Sequence, residues 1–231
     1  MHKYMIGYGV WSKQDMIEWL LRGVTEHAGE ATHVVFLFDG CTDDSAKVFD
    51  DAAQDALAGR ITKMVNKIET QEIGCHFQLM RYFVDFTDCD VLVLPQDDQR
   101  FVGPILSSVD AVIDRYGDRT GVIGGRDGYE PGLQNMISSE WSESVIAKRR
   151  LAPGEFVARP LVNPGPMIFS RKLISSIGFY NMDFRCWYWW NDYCHRASLA
   201  GFTNVVLGTE IEHKKFGKPP SPAGNWTTYY D

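Results

Sequence analysis

The 231-residue sequence predicts an α/β fold: one domain, residues 1–231, with a mostly parallel central sheet flanked by helices and a small antiparallel element in the second half. Three observations predict it. Short β-branched or aromatic runs alternate about five times with amphipathic stretches, as they do in a chain of βα units. Two of these runs, 33–38 (HVVFLF) and 91–94 (VLVL), are continuously apolar, as strands covered on both faces must be. A composition of 45% hydrophobic and 23% charged residues supplies a full core without disulfides or a structural metal.

The elements follow in order. Residues 4–8 read as the first strand. Ser12, with Asp15 three residues on, resembles a capping box, and Met16, Trp19, Leu20 and Val24 then recur at helical spacing. After the strand at 33–38, Thr42 can cap a helix that carries Ala46, Phe49, Ala53 and Leu57 on one face. A short strand at 61–65, a helix at 73–86, the strand at 91–94, a helix at 102–116 and a strand at 121–123 complete the first half. Between 126 and 165 Gly128, Pro131, Gly132, Pro153, Gly154, Pro160, Pro164 and Gly165 break any period. That stretch reads as long loops around one helix near 139–149. A strand at 167–169, helices at 171–177 and 188–199 and a strand at 203–207 follow, and the turn-rich tail 218–231 reads as a flap.

Composition excludes several classes. With 23 basic and 30 acidic residues the net charge is −7, which argues against a dedicated nucleic-acid binder. The apolar runs, about eight residues at most, predict no transmembrane segment, and the N-terminal residues lack the layout of a signal peptide. Cys41, Cys75, Cys89, Cys186 and Cys194 form no CxxC and read as free thiols of a cytoplasmic protein.

Ligands of parallel α/β sheets bind beyond the carboxyl ends of the strands, so the residues that follow each strand are the candidates. Gly7-Tyr8-Gly9-Val10-Trp11-Ser12 is no dinucleotide fingerprint, because Ser12 stands where the third glycine would be. Asp39, followed by Gly40, suits a hydrogen bond to a ribose or base; equally, it suits a capped turn. Gln96-Asp97-Asp98 places adjacent carboxylates at the mouth of an apolar strand, which is costly unless they are solvated or paired with a cation. Hard divalent ions such as Mn or Mg bridge such carboxylates to phosphates. His213 is a metal ligand at a strand end or a structural histidine. Lys148, Arg149 and Arg150 form a solvated helix face or meet an anionic acceptor. Trp189 and Trp190, ahead of Asp192, stack on a sugar or belong to the core. Cys186, Cys194 and His195 are too loosely spaced for a zinc site.

Taken in order, Asp39-Gly40-Cys41-Thr42-Asp43-Asp44, Glu72-Ile73-Gly74, Gln96-Asp97-Asp98, the 163–171 run NPGPMIFSR, 177–180 (IGFY), Asn191-Asp192-Tyr193-Cys194-His195-Arg196, Ala200-Gly201-Phe202 and His213 resemble the family-2 inverting glycosyltransferases of the GT-A fold. That resemblance covers nearly the whole chain and implies a Rossmann-like GT-A-type domain. Residues 1–125 would form the donor-binding half, 126–217 the acceptor and catalytic half, and 218–231 the flap. The implied reaction is metal-dependent transfer of a sugar, with inversion, from a nucleoside diphosphate sugar (a UDP-sugar first) to an acceptor hydroxyl on a saccharide, lipid phosphate, protein or modified nucleic acid.

The resemblance also implies roles. Tyr8, Gly9, Val10, Trp11, Asp39, Gly74, Gln96 and Asp97 would line the donor; Asp98 and His213 would hold Mn or Mg. Phe38 and Pro95 stand where the family carries further acids. Counting back from Arg196 aligns Asp192 with the second acid of the family's EDxDxxxR pattern and puts Trp190 at the usual base position. Asp192 is therefore the candidate base, with Asp183 second. Trp189, Trp190, Gly165 and Arg149 are the candidate acceptor contacts. Two alternatives stay open: a non-catalytic nucleotide-sugar-binding module, which the Trp190 departure favours, and a sugar nucleotidyltransferase, for which 7–13 is a poor triphosphate loop.

Overall fold

A computed structural model describes residues 2–29, 32–53, 59–127, 136–138, 151–184 and 188–214. Its strands are β1 (Tyr4–Val10), β2 (Thr32–Asp39), β3 (Ile61–Asn66), β4 (Val91–Leu94), β5 (Gln99–Phe101), β6 (Thr120–Asp127), β7 (Met136–Ser138), β8 (Phe156–Ala158), β9 (Val162–Ser170), β10 (Thr203–Leu207) and β11 (Ile211–His213). Its helices are α1 (Ile17–His27), α2 (Ser45–Ala53), α3 (Gln71–Phe86), α4 (Ile105–Tyr116), α5 (Arg171–Ile177) and α6 (Trp189–Leu199).

Eight strands form one sheet in the order β3-β2-β1-β4-β9-β6-β10-β8. β1 pairs in parallel with β2 and β4, β2 with β3, and β6 with β10. The antiparallel members are β9, between β4 and β6, and β8, at the edge beside β10. This is the expected mostly parallel sheet, with its antiparallel element in the second half. The strands are apolar on both sides, so two cores form. One includes Tyr8, Leu20, Phe36, Phe49 and Val109 and lies under α1, α2 and α4. The other includes Leu79, Leu92, Phe169, Leu173 and Tyr193 and lies under α3, α5 and α6.

Four expectations need correction. Ser12 does not cap a helix: it has a φ of 49°, and its Oγ accepts from Thr42 N at 3.1 Å. Thr42 does not cap α2 either; Asp43 Oδ1 accepts from Ser45 N at 3.1 Å just ahead of that helix. The fourth helix begins at Ile105, after Pro104, rather than at 102. The supposed loops of 126–165 contain strands. β9 runs from Val162 through Pro164 and Pro166 because its register with β6 shifts between Gly124 and Arg126, leaving that stretch outside the regular ladder. The expected helix near 139–149, the basic cluster Lys148–Arg150 and the 218–231 tail lie outside the described residues.

Arg171 ties the layers together. Its guanidinium donates to the carbonyls of Phe83, Val84, Thr87 and Cys89 at 2.7–3.2 Å, and it lies 4.3 Å from the Phe83 ring centroid. It thus satisfies carbonyls at the end of α3 that have no partner within the helix.

Candidate active site

The chain runs from β1 to β2 and β3 on one side, then crosses back to β4 on the other, so the strand order reverses between β1 and β4. Ligand sites of doubly wound sheets form at such a switch point. Here the Trp11 backbone N–H crosses it, donating to Asp97 Oδ2 at 3.1 Å. Lys13 Nζ lies 3.9 Å from Asp97 Oδ1. Burial pushes the Asp97 carboxyl up to about 6, Lys13 pulls it down, and Asp98 pushes it up further.

A second, three-stranded sheet, β5-β11-β7, completes the site. Antiparallel pairing sets His213 opposite Gln99, next to Asp98. His213 Nε2 then lies 3.2 Å from Asp98 Oδ2, while Asp98 Oδ1 is buried and accepts no hydrogen bond among the described residues. Arg100 and Glu212, the neighbouring cross-strand pair, form a 2.7 Å ion pair that locks this register. A carboxylate oxygen without a donor beside an imidazole is a donor set that suits a divalent cation completed by phosphate oxygens and water. No cluster of three or more potential metal ligands occurs among the described residues. Any cation held by Asp98 and His213 therefore takes its remaining ligands from elsewhere.

Glu72, Arg126 and Lys13 join the site without having been singled out for it in the sequence. Glu72 Oε1 accepts from Gln96 Nε2 at 3.0 Å. As a residue Glu72 is exposed, so water reaches it; its carboxyl group is nonetheless ringed by protein. Burial and then the charges of Asp97 and Asp98 push it up to about 7, against the Gln96 hydrogen bond and Arg126. Burial pulls the Arg126 guanidinium down, and Asp98 followed by Glu72 pushes it back. The rule that found Asp39 and Asp97, looking past the end of each strand, finds Arg126 when it is applied to the strand at 121–123. Glu72 gives no such signal, because an acid in the first turn of a helix is ordinary.

The other expected site residues have these surroundings. Tyr8 and Val10 are fully buried in the core, and the Tyr8 hydroxyl donates to Gln99 O at 3.3 Å. Gly9 and Gly74 serve close packing. A Cβ on Gly9 would come within 2.7 Å of Cys75 Cβ, and one on Gly74 within 2.6 Å of Thr70. Asp39, 1% exposed, spends its carboxylate on the β3–α3 loop, accepting from Asn66 Nδ2 at 2.7 Å, Thr70 N at 2.7 Å and Thr70 Oγ1 at 2.9 Å. Gly165 is buried within β9. Trp189 is core, edge-on to His76 at 5.2 Å, and the half-buried Trp190 packs edge-on to it at 5.1 Å. Asp192 Oδ2 accepts from Arg196 Nε at 2.8 Å, and the same guanidinium donates to Ile177 O and Phe179 O. Asp183 is exposed on the 181–184 turn. Arg149 lies outside the described residues.

No family profile and no curated protein sequence matches the chain. Solved structures do. A mannosyltransferase, PcManGT from Pyrobaculum calidifontis in complex with GDP-Man and Mn2+, superposes with a TM-score of 0.62 at 12% identity, over 95% of this chain and 58% of that one. GalNAc-T7 with UDP, GalNAc and Mn2+ gives 0.70 at 13% identity over 93% of this chain and 44% of its own. S. aureus TarS 1-349 in complex with UDP-GlcNAc gives 0.63 at 12% identity over 94% and 59%. The chain thus spans 44–59% of the length of these three structures. At such identities the likeness establishes the architecture: this chain has the GT-A-type α/β fold of those glycosyltransferases.

Proposed function

We propose that this chain is a glycosyltransferase that moves a sugar from a nucleoside diphosphate sugar to an acceptor hydroxyl, with inversion and with a Mn or Mg ion bound at the donor site. The observation that carries this reading is the acidic turn at the switch point, where Asp98, with a buried oxygen that has no hydrogen-bond partner among the described residues, stands 3.2 Å from His213. The ligands in the matched structures, GDP-Man or UDP-GlcNAc, support a nucleotide-sugar donor, with UDP first.

Asp98 and His213 would hold the cation, which supplies positive charge against the leaving diphosphate. The chain's own groups do the rest. The Trp11 N–H and Lys13 fix Asp97, so the 95–99 turn is set before ligand arrives. Gln99 braces the same turn, accepting from Gln96 N at 3.1 Å and donating to Gln96 Oε1 at 2.8 Å. Asp192 is the assigned proton acceptor. Arg196 orients its Oδ2, and Oδ1 accepts nothing among the described residues, so one oxygen is available to an acceptor hydroxyl. The hydroxyl oxygen attacks the anomeric carbon opposite the diphosphate, its proton passes to the carboxylate, and the diphosphate leaves with the bonding pair. Residues 1–125 form the donor half and 126–217 the acceptor half in this reading.

A nucleotide-sugar-binding module is the second reading, favoured by Trp190 at the position where the resemblance expects the base. Donor-turnover assays with UDP- and GDP-sugars and simple hydroxyl acceptors, in Mn, Mg or EDTA, separate the two. The transferase predicts metal-dependent release of diphosphate that falls on the order of 10²–10⁴-fold in Asp192→Asn. Binding without turnover, identical in wild type and Asp192→Asn, means the module.

A further inference from the structure

Glu72 has no part in the steps above, yet its placement demands a function. An acid in the first turn of α3 is explained by the helix dipole alone. The Glu72 side chain, however, reaches to the β4 turn and bonds Gln96 Nε2 at 3.0 Å. Gln96 is itself clamped twice by the fully buried Gln99, so the carboxylate is held by a fixed partner rather than waving in solvent. Asp97 and Asp98 act on it from the donor side, and Arg126, at the end of β6, acts from the other half of the sheet. Glu72 thus adjoins the acidic turn through Gln96, with Arg126 near enough to act on its charge. Its Oε2 accepts no hydrogen bond among the described residues.

The chemistry narrows what it meets. In its ionised form a carboxyl group only accepts hydrogen bonds, and beside two other carboxylates it repels a phosphate. It suits a neutral group rich in donors, and vicinal hydroxyls are such a group. A sugar carried by a diphosphate at Asp98 and turned toward Gln96, two residues along the same turn, would meet Glu72.

We propose that Glu72, braced by Gln96, hydrogen-bonds hydroxyl groups of the transferred sugar and sets which donor sugar the chain accepts; this rests on the nucleotide-sugar reading above. The test compares calorimetric Kd values for a bare nucleoside diphosphate and for its nucleotide sugar, with Mn present, in wild type, Glu72→Gln and Glu72→Asp. Wild type should bind the nucleotide sugar more tightly than the bare diphosphate. Glu72→Gln should cut that ratio at least tenfold while the bare-diphosphate Kd weakens by no more than twofold and the unliganded Tm does not fall. Glu72→Asp, which keeps the charge and loses reach, should fall between. An unchanged ratio in Glu72→Gln overturns the proposal, and so does an equal loss for both ligands, which would make Glu72 a nucleotide contact. Wild type that binds no nucleoside diphosphate overturns the donor-site reading itself, a result distinguishable from either.

Discussion

Asp97 is where sequence, structure and chemistry meet most closely. The pair Asp97-Asp98 stands out in the sequence because two carboxylates at the end of an apolar strand are costly, and the structure shows that cost in the Asp97 carboxyl held near 6. The folded value lies above the ordinary 3.8, so between the two the folded state holds more protons than the unfolded one. The contribution of Asp97 to stability therefore falls as pH rises from about 4 to about 6 and is flat above that, a loss of at most about 3 kcal/mol. His76 runs the other way. Burial holds it down to about 3, so its contribution is full above its ordinary 6.5 and is lost as pH falls. Comparing melts of wild type and Asp97→Asn from pH 4 to 8 isolates Asp97: the Tm of the variant should gain on wild type as pH rises through that window. Added Mn should raise the wild-type Tm more at pH 7.5 than at pH 5, because protons and cation compete for the same turn. Glu72, by contrast, was illegible as a site residue, because an acid in the first turn of a helix is ordinary and its meeting with Gln96 depends on how α3 and the 95–99 turn fold together.

At the scale of elements, most of the fold was readable. β1, β2, β4 and β10, with the helices that follow the first three, announce themselves by apolar runs and 3.6-residue spacing. β5, β7, β8 and β11 are three residues each, too short to carry a period, and they exist because neighbours pair with them. The strand read at 167–169 is the end of β9; its first part, 162–166, hid behind Pro164 and Pro166, whose usual meaning in a central strand is overridden where the ladder shifts register. Two predictions belong here. Glu212→Ala removes the ion pair that pins β11 to β5, so it should weaken Mn-dependent nucleotide binding several-fold, measured by calorimetry, while lowering stability by no more than about 1 kcal/mol. Arg171→Lys leaves several carbonyls at the end of α3 without donors and should cost about 2–4 kcal/mol in urea unfolding.

Across the whole molecule, the acidic turn that follows β4 and the histidine that ends β11 are far apart in the sequence, and an eight-stranded and a three-stranded sheet carry them to one place. The resemblance named both residues; the antiparallel β5–β11 ladder supplies the physical reason they meet. Described helices include none long and apolar enough to cross a membrane. The acceptor side is the least legible part in sequence and structure alike, since its aromatic candidates divide between core and surface and Arg149 lies outside the described residues. The donor side decides whether the chain is a nucleotide-sugar enzyme, and the deciding titration is calorimetry of UDP and GDP into wild type and Asp98→Ala, each with Mn and with EDTA. One diphosphate should bind wild type in Mn, and EDTA and Asp98→Ala should each weaken it at least tenfold, about 1.4 kcal/mol or more. Equal affinity in all four conditions, or no binding by a folded wild type, would contradict the nucleotide-sugar reading.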